Sequence, residues 1–263
     1  MDVISITQHR ERPSELLRRR LSATLAHTPD GLDACLTLEG PPRSFSTGEK
    51  LLPKGSHPKA WLLASGVAGE VRWLSDRRRQ VLNLKLPGDI LQGDAQEEIE
   101  ALSAVQVVDA FPIIRAFRER SQNYQPLRQA WVAAARLEQA LMRDHVVRLG
   151  CMSAYERMAH FLVETHDRLS RIGLATSASL HLPIKQDVVA DLMGLSVVHV
   201  SRTMQILKRE GLAHARSGYV MLPDLPRLAE VCGYESRFAS EPPQAKHPSL
   251  PAATQRQRVA NFH

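Results

Sequence analysis

Aromatic side chains and long apolar runs are both scarce in this chain of 263 residues. Aromatic residues make up only 5% of it, which argues against stacking on nucleobases as a general strategy. No apolar run approaches the roughly 18 residues that a membrane span needs. The first twenty residues also lack the apolar core of a secretion signal. We therefore expect a protein of the cytoplasm with no membrane partner.

Cysteine is scarce as well, with three residues at Cys35, Cys151 and Cys232. Their wide spacing gives no CxxC pair, no iron–sulfur pattern and no disulfide framework, which favours a reducing compartment. Cys232 is interpreted as a small buried hydrophobic residue. Cys151 lies between two predicted helical regions and has two interpretations. It is either another buried hydrophobic residue or a hinge thiol that acts as a redox switch.

Enzyme motifs are missing too. The chain has no nucleophile elbow, phosphate-binding loop, metal-binding box or pair of acidic residues at catalytic spacing. We expect that it is not an enzyme and holds no metal. What it does have is a formal charge of +6 and an isoelectric point near 9.5. A mildly basic protein is compatible with an anionic partner.

Changes in composition divide the chain into five segments. They are a charged N-terminal arm (1–25), a β-rich domain (26–112), a long helix (113–149), a mostly helical domain (150–235) and a tail expected to be disordered (236–263). The arm is either a short amphipathic helix or a loose segment. The tail is rich in proline, alanine and glutamine and has no hydrophobic period.

The segment 26–112 carries short apolar runs that turn residues interrupt. Leu82, Leu84 and Leu86 alternate with polar residues, which is the period of a half-buried strand. Several such runs at short spacing predict a β-sandwich or β-roll.

A long helix is predicted after Pro126, a residue type that suits the first helical turn. From Leu127 to Leu149 it would be about 34 Å long at 1.5 Å per residue. Apolar residues recur every three or four positions along it and form one stripe: Leu127, Trp131, Ala134, Leu137 and Leu141. Two partners for this stripe remain open. It packs on its own β domain, or it pairs with the same helix of a second chain in a homodimer.

The most informative stretch is Gln186–Gln205, QDVVADLMGLSVVHVSRTMQ. A small residue at Ala190 allows two crossing helices to approach closely. Gly194 follows where the chain must turn, and it is expected to adopt positive φ. Ser196 is a good N-cap for the second helix. This order predicts a helix-turn-helix, with the second helix spanning 196–210.

Helical geometry at 100° per residue separates two faces of that second helix. Val200, Met204 and Leu207 fall together and face the core. Four residues fall on the opposite stripe, which His199 and Ser201 flank: Val198, Arg202, Gln205 and Arg209. In a major groove, arginine can bind guanine O6 and N7, and valine can contact a thymine methyl group. Gln205 suits a base edge or a phosphate, and Arg209 suits a phosphate.

A β wing is predicted next, with strands over 212–216 and 219–222 joined by the tight turn Ser217–Gly218. Arg216 in this wing can neutralise a phosphate. From Ser196 to Gly218 there are four basic residues and one acidic residue. Positive charge is therefore concentrated on the elements that would meet DNA.

The order of β domain, long helix and winged helix-turn-helix resembles the Crp/Fnr family of bacterial transcription regulators. The resemblance covers roughly residues 30–232 and is most specific at 183–222. It implies an α+β fold with an N-terminal β-roll like the cyclic-nucleotide-binding jelly roll, a long dimerisation helix and a C-terminal winged helix-turn-helix.

The same resemblance implies a homodimer that binds an inverted repeat in double-stranded DNA and places or removes RNA polymerase at promoters. It assigns base reading to Val197, Val198, Ser201 and Arg202. Ser196 and His199 beside them are also expected to contact DNA. Ser201 and Arg202 match the oxygen-response branch of the family. Val198 replaces a common acidic residue, and valine cannot accept a hydrogen bond from a cytosine amino group.

Ligand binding by the β domain is the alternative function. Family members that bind a cyclic nucleotide use a Gly-Glu pair and then an arginine that grips the phosphate. Here Gly93–Asp94 is the nearest match to the first pair, and residues 80–114 contain no arginine. For haem, the candidate ligands in the β domain are His57 and Cys35. We therefore expect no cofactor, with a sensor of cyclic nucleotide, haem or redox state as the other hypothesis.

Overall fold

Strands predominate in the first half of the described chain and helices in the second half. The structure is a computed structural model and describes residues 12–55, 59–92 and 97–238. His57 and the pair Gly93–Asp94 lie outside the described residues. The predicted α+β class is confirmed, with its β-roll, long helix and winged helix-turn-helix.

The β domain consists of two four-stranded antiparallel sheets. Its strands are β1 (Glu39–Phe45), β2 (Lys50–Leu52), β3 (Ala60–Ser65), β4 (Ala68–Trp73), β5 (Arg79–Lys85), β6 (Ile90–Gln92), β7 (Glu98–Ala101) and β8 (Val105–Asp109). One sheet has the order β1-β8-β3-β6 and the other β2-β7-β4-β5. Inward-facing side chains such as Leu52, Leu63, Leu91 and Val107 fill the space between them.

Three helices flank this domain: α1 (Pro13–Ser22), α2 (Phe111–Arg118) and α3 (Gln125–Cys151). The N-terminal arm is therefore helical in its described part. The helix predicted from Leu127 to Leu149 lies within α3, but its extension back to residue 113 is wrong, because the chain leaves the helical conformation at Glu119 and begins α3 next to Pro126. A proline inside one continuous helix would remove a hydrogen bond and clash with the preceding turn. With 27 residues, α3 is about 40 Å long.

The C-terminal module contains α4 (Ala154–Arg171), α5 (Gln186–Met193), α6 (Val197–Arg209) and α7 (Leu225–Cys232). Its four short strands form one sheet in the order β11-β12-β10-β9, with β9 (Ala175–Thr176), β10 (Ser179–His181), β11 (His214–Arg216) and β12 (Tyr219–Met221). The sequence predicted only the last two of these strands. A capping box at Ser153 and Glu156 begins α4.

The module and the β domain share one apolar core. Val81 and Leu84 of β5 belong to the same buried cluster as Phe161 of α4 and Leu192 of α5. Arg79 of β5 also lies 2.7 Å from the Asp191 carboxylate of α5. The helix-turn-helix is therefore held against the outer edge of the β domain.

A buried ionic cluster, here called the buried joint, reinforces this packing. It consists of Arg20 of α1, Asp89 of the turn before β6 and Arg168 of α4. Arg20 Nε lies 2.6 Å from Asp89 Oδ1, and Arg168 Nη2 lies 2.8 Å from Asp89 Oδ2. Burial alone would raise the pKa of Asp89, but the charges of Arg20, Arg168 and Lys85 outweigh it and hold that pKa below its usual range. The joint thus connects three elements that are far apart in sequence.

The predicted disorder from residue 236 onward is wrong for Ser236–Phe238, whose side chains make defined contacts. They bind side chains of α3 and α4, contacts that composition does not encode. The rest of the predicted tail lies outside the described residues. Within the described part of the chain, none of the helices is both long and apolar enough to cross a membrane.

Candidate nucleic-acid interface

The turn between α5 and α6 has the geometry that the sequence predicts. Gly194 adopts φ 63° at the end of α5, and Leu195 donates its N–H to the Ala190 carbonyl at 3.1 Å. Arg157 of α4 donates to the Met193 carbonyl at 3.0 Å and so satisfies the last turn of α5. Ser196 then caps α6 by accepting the N–H of His199 at 3.2 Å.

The inner face of α6 is formed by Val200, Thr203 and Leu207, which are all buried. Val200 and Leu207 were predicted for this face. Met204, also predicted for this face, is only half-buried. Thr203 is buried instead, and the apolar periodicity did not identify it because threonine is polar. On α5, Val188 is buried and Val189 is half-buried. This packing fixes which side of α6 faces outward.

The outer face of α6 contains the predicted base-reading stripe. Val197 and Val198 are 45% and 58% exposed, respectively. Arg202, Gln205 and Arg209 are exposed too, and none of their three side chains has a hydrogen bond or ion pair to another described residue. Their polar groups are therefore free to bind a ligand outside the chain.

The residues that flank this stripe differ in their surroundings, and their contacts with DNA stay predictions. His199 Nδ1 lies 3.2 Å from Ser196 Oγ, so both side chains take part in the cap of α6. Ser201 is half-buried beside Arg202. His199 and Ser196 thus shape the start of the helix, whereas Arg202 and the two valines project from it.

The one acidic residue of this region is removed from the basic face. Tyr155 of α4 donates its hydroxyl hydrogen to Glu210, which follows the last turn of α6. Partial burial and the Glu210 carboxylate together raise the pKa of Tyr155 to about 12. Because Glu210 is held toward α4, it does not neutralise Arg202 or Arg209.

The wing ends in a two-residue turn. Ser217 and Gly218 adopt φ 51° and 80°, and Arg216 pairs with Tyr219 across the turn. Two consecutive positive φ values are typical of the hairpin turns that match the twist of the strands. Arg216 is exposed and has no ion pair within the described residues, which leaves its guanidinium group free to contact a phosphate.

The predicted dimerisation stripe of α3 lies largely against its own chain. Leu127 is fully buried and packs with α1, α2 and β3, while Leu137 and Leu141 are also buried. Trp131 stacks on Phe117 of α2 with ring centroids 5.1 Å apart. Ala134 is half-buried in the same cluster. Of the two interpretations of this stripe, packing on the chain's own domain agrees with this burial, and it leaves Leu127, Leu137 and Leu141 little surface for a second chain.

A second stripe of α3 is open to solvent. Its residues are spaced alternately by three and four positions, as in a coiled coil: Val132, Ala135, Gln139, Met142, Val146 and Leu149. Val146 is 63% exposed, and Val132 is 45% exposed. The sequence analysis missed this stripe because the other one is more strongly apolar. The heptad spacing was the signal that could have found it.

The three cysteines differ in environment. Cys35 and Cys232 are buried, and burial raises the pKa of the Cys232 thiol to about 11. Cys151 is exposed at the end of α3, so its interpretation as a buried hydrophobic residue is wrong. Its role as a redox switch stays a prediction.

The described part of the β domain has an apolar interior, and the cyclic-nucleotide and haem hypotheses stay predictions. The interior between the two sheets is filled by apolar side chains such as Leu63, Leu91 and Val107. Cys35 Sγ lies 3.3 Å from the Asn123 carbonyl, where it packs between α1 and α3. Among the residues that the structure describes, no three histidine, cysteine or acidic side chains come together as metal ligands do.

Comparison with known proteins adds a separate line of evidence. The profile of the Crp-like helix-turn-helix domain matches residues 156–231. The chain is 33% identical over 191 residues to the nitrogen fixation regulation protein FixK of Bradyrhizobium diazoefficiens, which covers 70% of this chain and 78% of that protein. It is 33% identical to the transcriptional activatory protein AadR of Rhodopseudomonas palustris, over 68% of this chain and 72% of AadR.

A solved structure shares the fold. FixK2 of Bradyrhizobium japonicum aligns with a TM-score of 0.63 at 24% identity, over 76% of this chain and 100% of FixK2. The alignment supports the arrangement of the elements described above.

Proposed function

The chain belongs to the Crp/Fnr family of DNA-binding transcription regulators, and from that membership we infer that it reads an inverted-repeat operator as a homodimer. Proteins of this family regulate transcription and are not enzymes. The finer proposal is that α6 enters the major groove and that the wing follows the backbone. Such a regulator would work on chromosomal DNA in the bacterial cytoplasm.

The observation that carries this proposal is the unpartnered outer face of α6. Arg202 and Gln205 are exposed without a partner among the described residues, on a helix whose other side is buried in the module. A guanidinium group in this position can donate two parallel hydrogen bonds to guanine. Arg209 and Arg216 then supply sequence-independent contacts to phosphates.

Val197 and Val198 give the interface an apolar part. Exposed valines in the first turn of a recognition helix are suited to the methyl group of thymine. They offer no acceptor to the amino group of cytosine. We therefore expect the base pair opposite Val198 to be read by apolar contact.

Selection of bound sites from random double-stranded DNA tests the proposal. We expect an enriched inverted repeat whose half-sites are about one helical turn apart, 10–10.5 base pairs from centre to centre. Gel shifts on that site should weaken steeply as salt is added, because bound arginines release counterions from the phosphates. Failure to enrich any palindrome would contradict operator binding.

The homodimer is proposed through the exposed stripe of α3. Val132 and Val146 lie on this stripe at coiled-coil spacing, and two copies of it would bury each other's apolar residues. Val146→Glu should place a charge in that interface and shift the chain toward monomer in analytical ultracentrifugation. Val147→Glu is the matched control, because Val147 is 48% exposed next to the stripe but not on it. Equal behaviour of the two variants would contradict the interface.

RNA polymerase is the proposed second partner. AadR carries the name of a transcriptional activator, so we propose that this chain also acts on transcription by contacting the polymerase at promoters. Transcription in vitro from a promoter with the selected site tests the direction of regulation. No change in transcript on adding the protein would contradict it.

A further inference from the structure

The last described residues, Ser236–Phe238, are here called the C-terminal latch. They follow α7, whose final turn ends at Gly233 with φ 59°. From there the chain runs back over α4 and reaches both α3 and α1. The sequence analysis assigned these residues to a disordered tail, and nothing in the proposed DNA interface uses them.

The first contact of the latch is made within the C-terminal module. Ser236 Oγ donates to Asp167 Oδ2 at 2.6 Å, and Arg171 Nη2 donates to Ser236 Oγ at 3.1 Å. Tyr234 donates to the same Asp167 oxygen at 2.9 Å, and its ring meets the edge of His160. These bonds fix the point at which the latch leaves α4.

The second contact crosses from the module to the long helix. Arg237 Nε and Nη2 lie 2.8 and 2.9 Å from the two oxygens of Asp144, which is a bidentate pair. The Asp144 side chain is only 13% exposed, whereas that of Arg237 is 44% exposed. Asp144 belongs to α3, so this pair bridges the DNA-binding module and the proposed dimer helix.

The third contact reaches the buried joint. The Phe238 ring centroid lies 5.0 Å from the Arg171 guanidinium carbon and 5.9 Å from that of Arg20. Arg20 pairs with Asp89 at the same time. Phe238 therefore covers the joint at the place where α1, α4 and the β domain meet.

We propose that the C-terminal latch adds to the shared apolar core and the buried joint by tying the DNA-binding module to the long helix, and thereby narrows the range of orientations of α6. The two cross-domain contacts, at Asp144 and at Arg20, resist rotation of the module about the junction of α3 and α4. An exposed ion pair or a cation–π contact alone contributes little to stability. Here both hold the same short segment, and the contacts of Ser236 fix the start of that segment to α4.

The consequence for DNA binding rests on the proposed function. In a dimer, the position of each module relative to α3 determines the distance between the two recognition helices. A fixed module binds one half-site spacing without a further loss of conformational freedom. A module without the latch is still held by the shared core but samples a wider range of orientations, so it has to be ordered on binding and also adapts to sites of other spacing. Release should therefore weaken binding to the optimal operator and reduce discrimination against altered spacing.

The test uses the full chain with the double substitution Arg237→Ala and Phe238→Ala. Arg227→Ala is the control, because it removes one positive charge from an exposed position of α7 that makes no cross-domain contact among the described residues. Spectroscopic labels are placed by non-natural amino acids at Ser75 in the β4–β5 turn and at Lys208 of α6. Their distance distribution is measured without DNA.

We expect the latch variant to broaden this distribution and the control to leave it unchanged. On the selected operator, the latch variant should bind roughly threefold to tenfold more weakly, as expected when a few groups must be ordered on binding. It should also lose part of the wild-type preference over sites with one base pair inserted between the half-sites.

Three results would overturn the proposal. They are an unchanged distance distribution, unchanged discrimination between spacings, or tighter operator binding by the latch variant. If none of the proteins binds any DNA, the proposed function fails, and the distance measurement still decides the role of the latch. Arg237→Lys sharpens the result, because it keeps the charge but not the bidentate geometry and should fall between the wild type and the double variant.

Discussion

The arginines of the buried joint and those of the outer face of α6 differ in whether the chain supplies a partner. Arg20 and Arg168 are buried, and each has an oxygen of Asp89 within 2.8 Å. Arg202 and Arg209 are exposed, and across residues 12–55, 59–92 and 97–238 neither has a carboxylate opposite it. Arg168, Arg202 and Arg209 belong to the C-terminal module, and Arg20 of α1 packs against it.

This difference separates structural charges from functional ones. A buried guanidinium group is tolerated only where a carboxylate compensates the loss of hydration. An exposed one needs no partner within the chain and remains available to a phosphate or a guanine. Substitution in the joint should therefore change folding stability, and substitution on α6 should change DNA affinity.

The largest effect is expected for Asp89→Ala, which breaks the joint. It leaves Arg20 and Arg168 buried without compensation, and such a loss costs about 3–5 kcal/mol in the free energy of unfolding. Urea unfolding measures it, with Asp76→Ala as a control because Asp76 is exposed and bound only to neighbouring Arg78. A change below about 1 kcal/mol would mean that the joint does not contribute as a structural ion pair.

The next effect is expected on α6. Arg202→Ala should cost about 1–3 kcal/mol on the selected site and relax the preference at one base pair, with unfolding free energy unchanged. Competition between the selected site and random DNA measures it. An equal loss on both DNAs would contradict base reading and assign Arg202 to a phosphate.

A change of pH should affect the stability of the packed region. Burial, followed by the charge of Arg148, lowers the pKa of both His145 and His160 to about 4. The unfolded chain, with histidine pKa values near 6.5, binds protons first, so stability should fall as pH drops from about 6.5 toward 4. Unfolding as a function of pH tests this. His145→Gln and His160→Gln should flatten the curve, and an unchanged slope would contradict the assignment.

The smallest effect is expected at the wing. Arg216→Ala should weaken binding uniformly across sequences and reduce the salt slope by about 1, as the loss of one phosphate contact predicts. Binding isotherms at several salt concentrations measure both quantities. An effect confined to the selected sequence would place Arg216 at a base edge. It would contradict the assignment of base reading to α6 and of phosphate contacts to the wing.

Features that depend on neighbouring residues were predictable from the sequence. Gly194 and Ser196 define the turn and the cap of α6, and Ser217 and Gly218 define the wing hairpin. Each depends on the conformational preference of one residue or on a hydrogen bond over a few positions. The Crp/Fnr resemblance supplied the order of the domains, which periodicity alone does not give.

Contacts between distant segments were not predictable. Asp89 binds Arg20 and Arg168 over separations of 69 and 79 residues, and no local pattern pairs them. The same applies to Arg237 and Asp144, which are 93 positions apart. The face of α3 that is covered also depends on where α1 and α2 pack, so Leu137 was assigned to the dimer although the chain itself buries it.

The two valines at the start of α6 have a thermodynamic consequence. When a duplex covers Val197 and Val198, water leaves their side chains, and this gain involves no counterions. The specific complex should therefore retain a component of affinity that persists in concentrated salt, together with a negative heat capacity of association. A purely cationic surface of equal charge would have neither property.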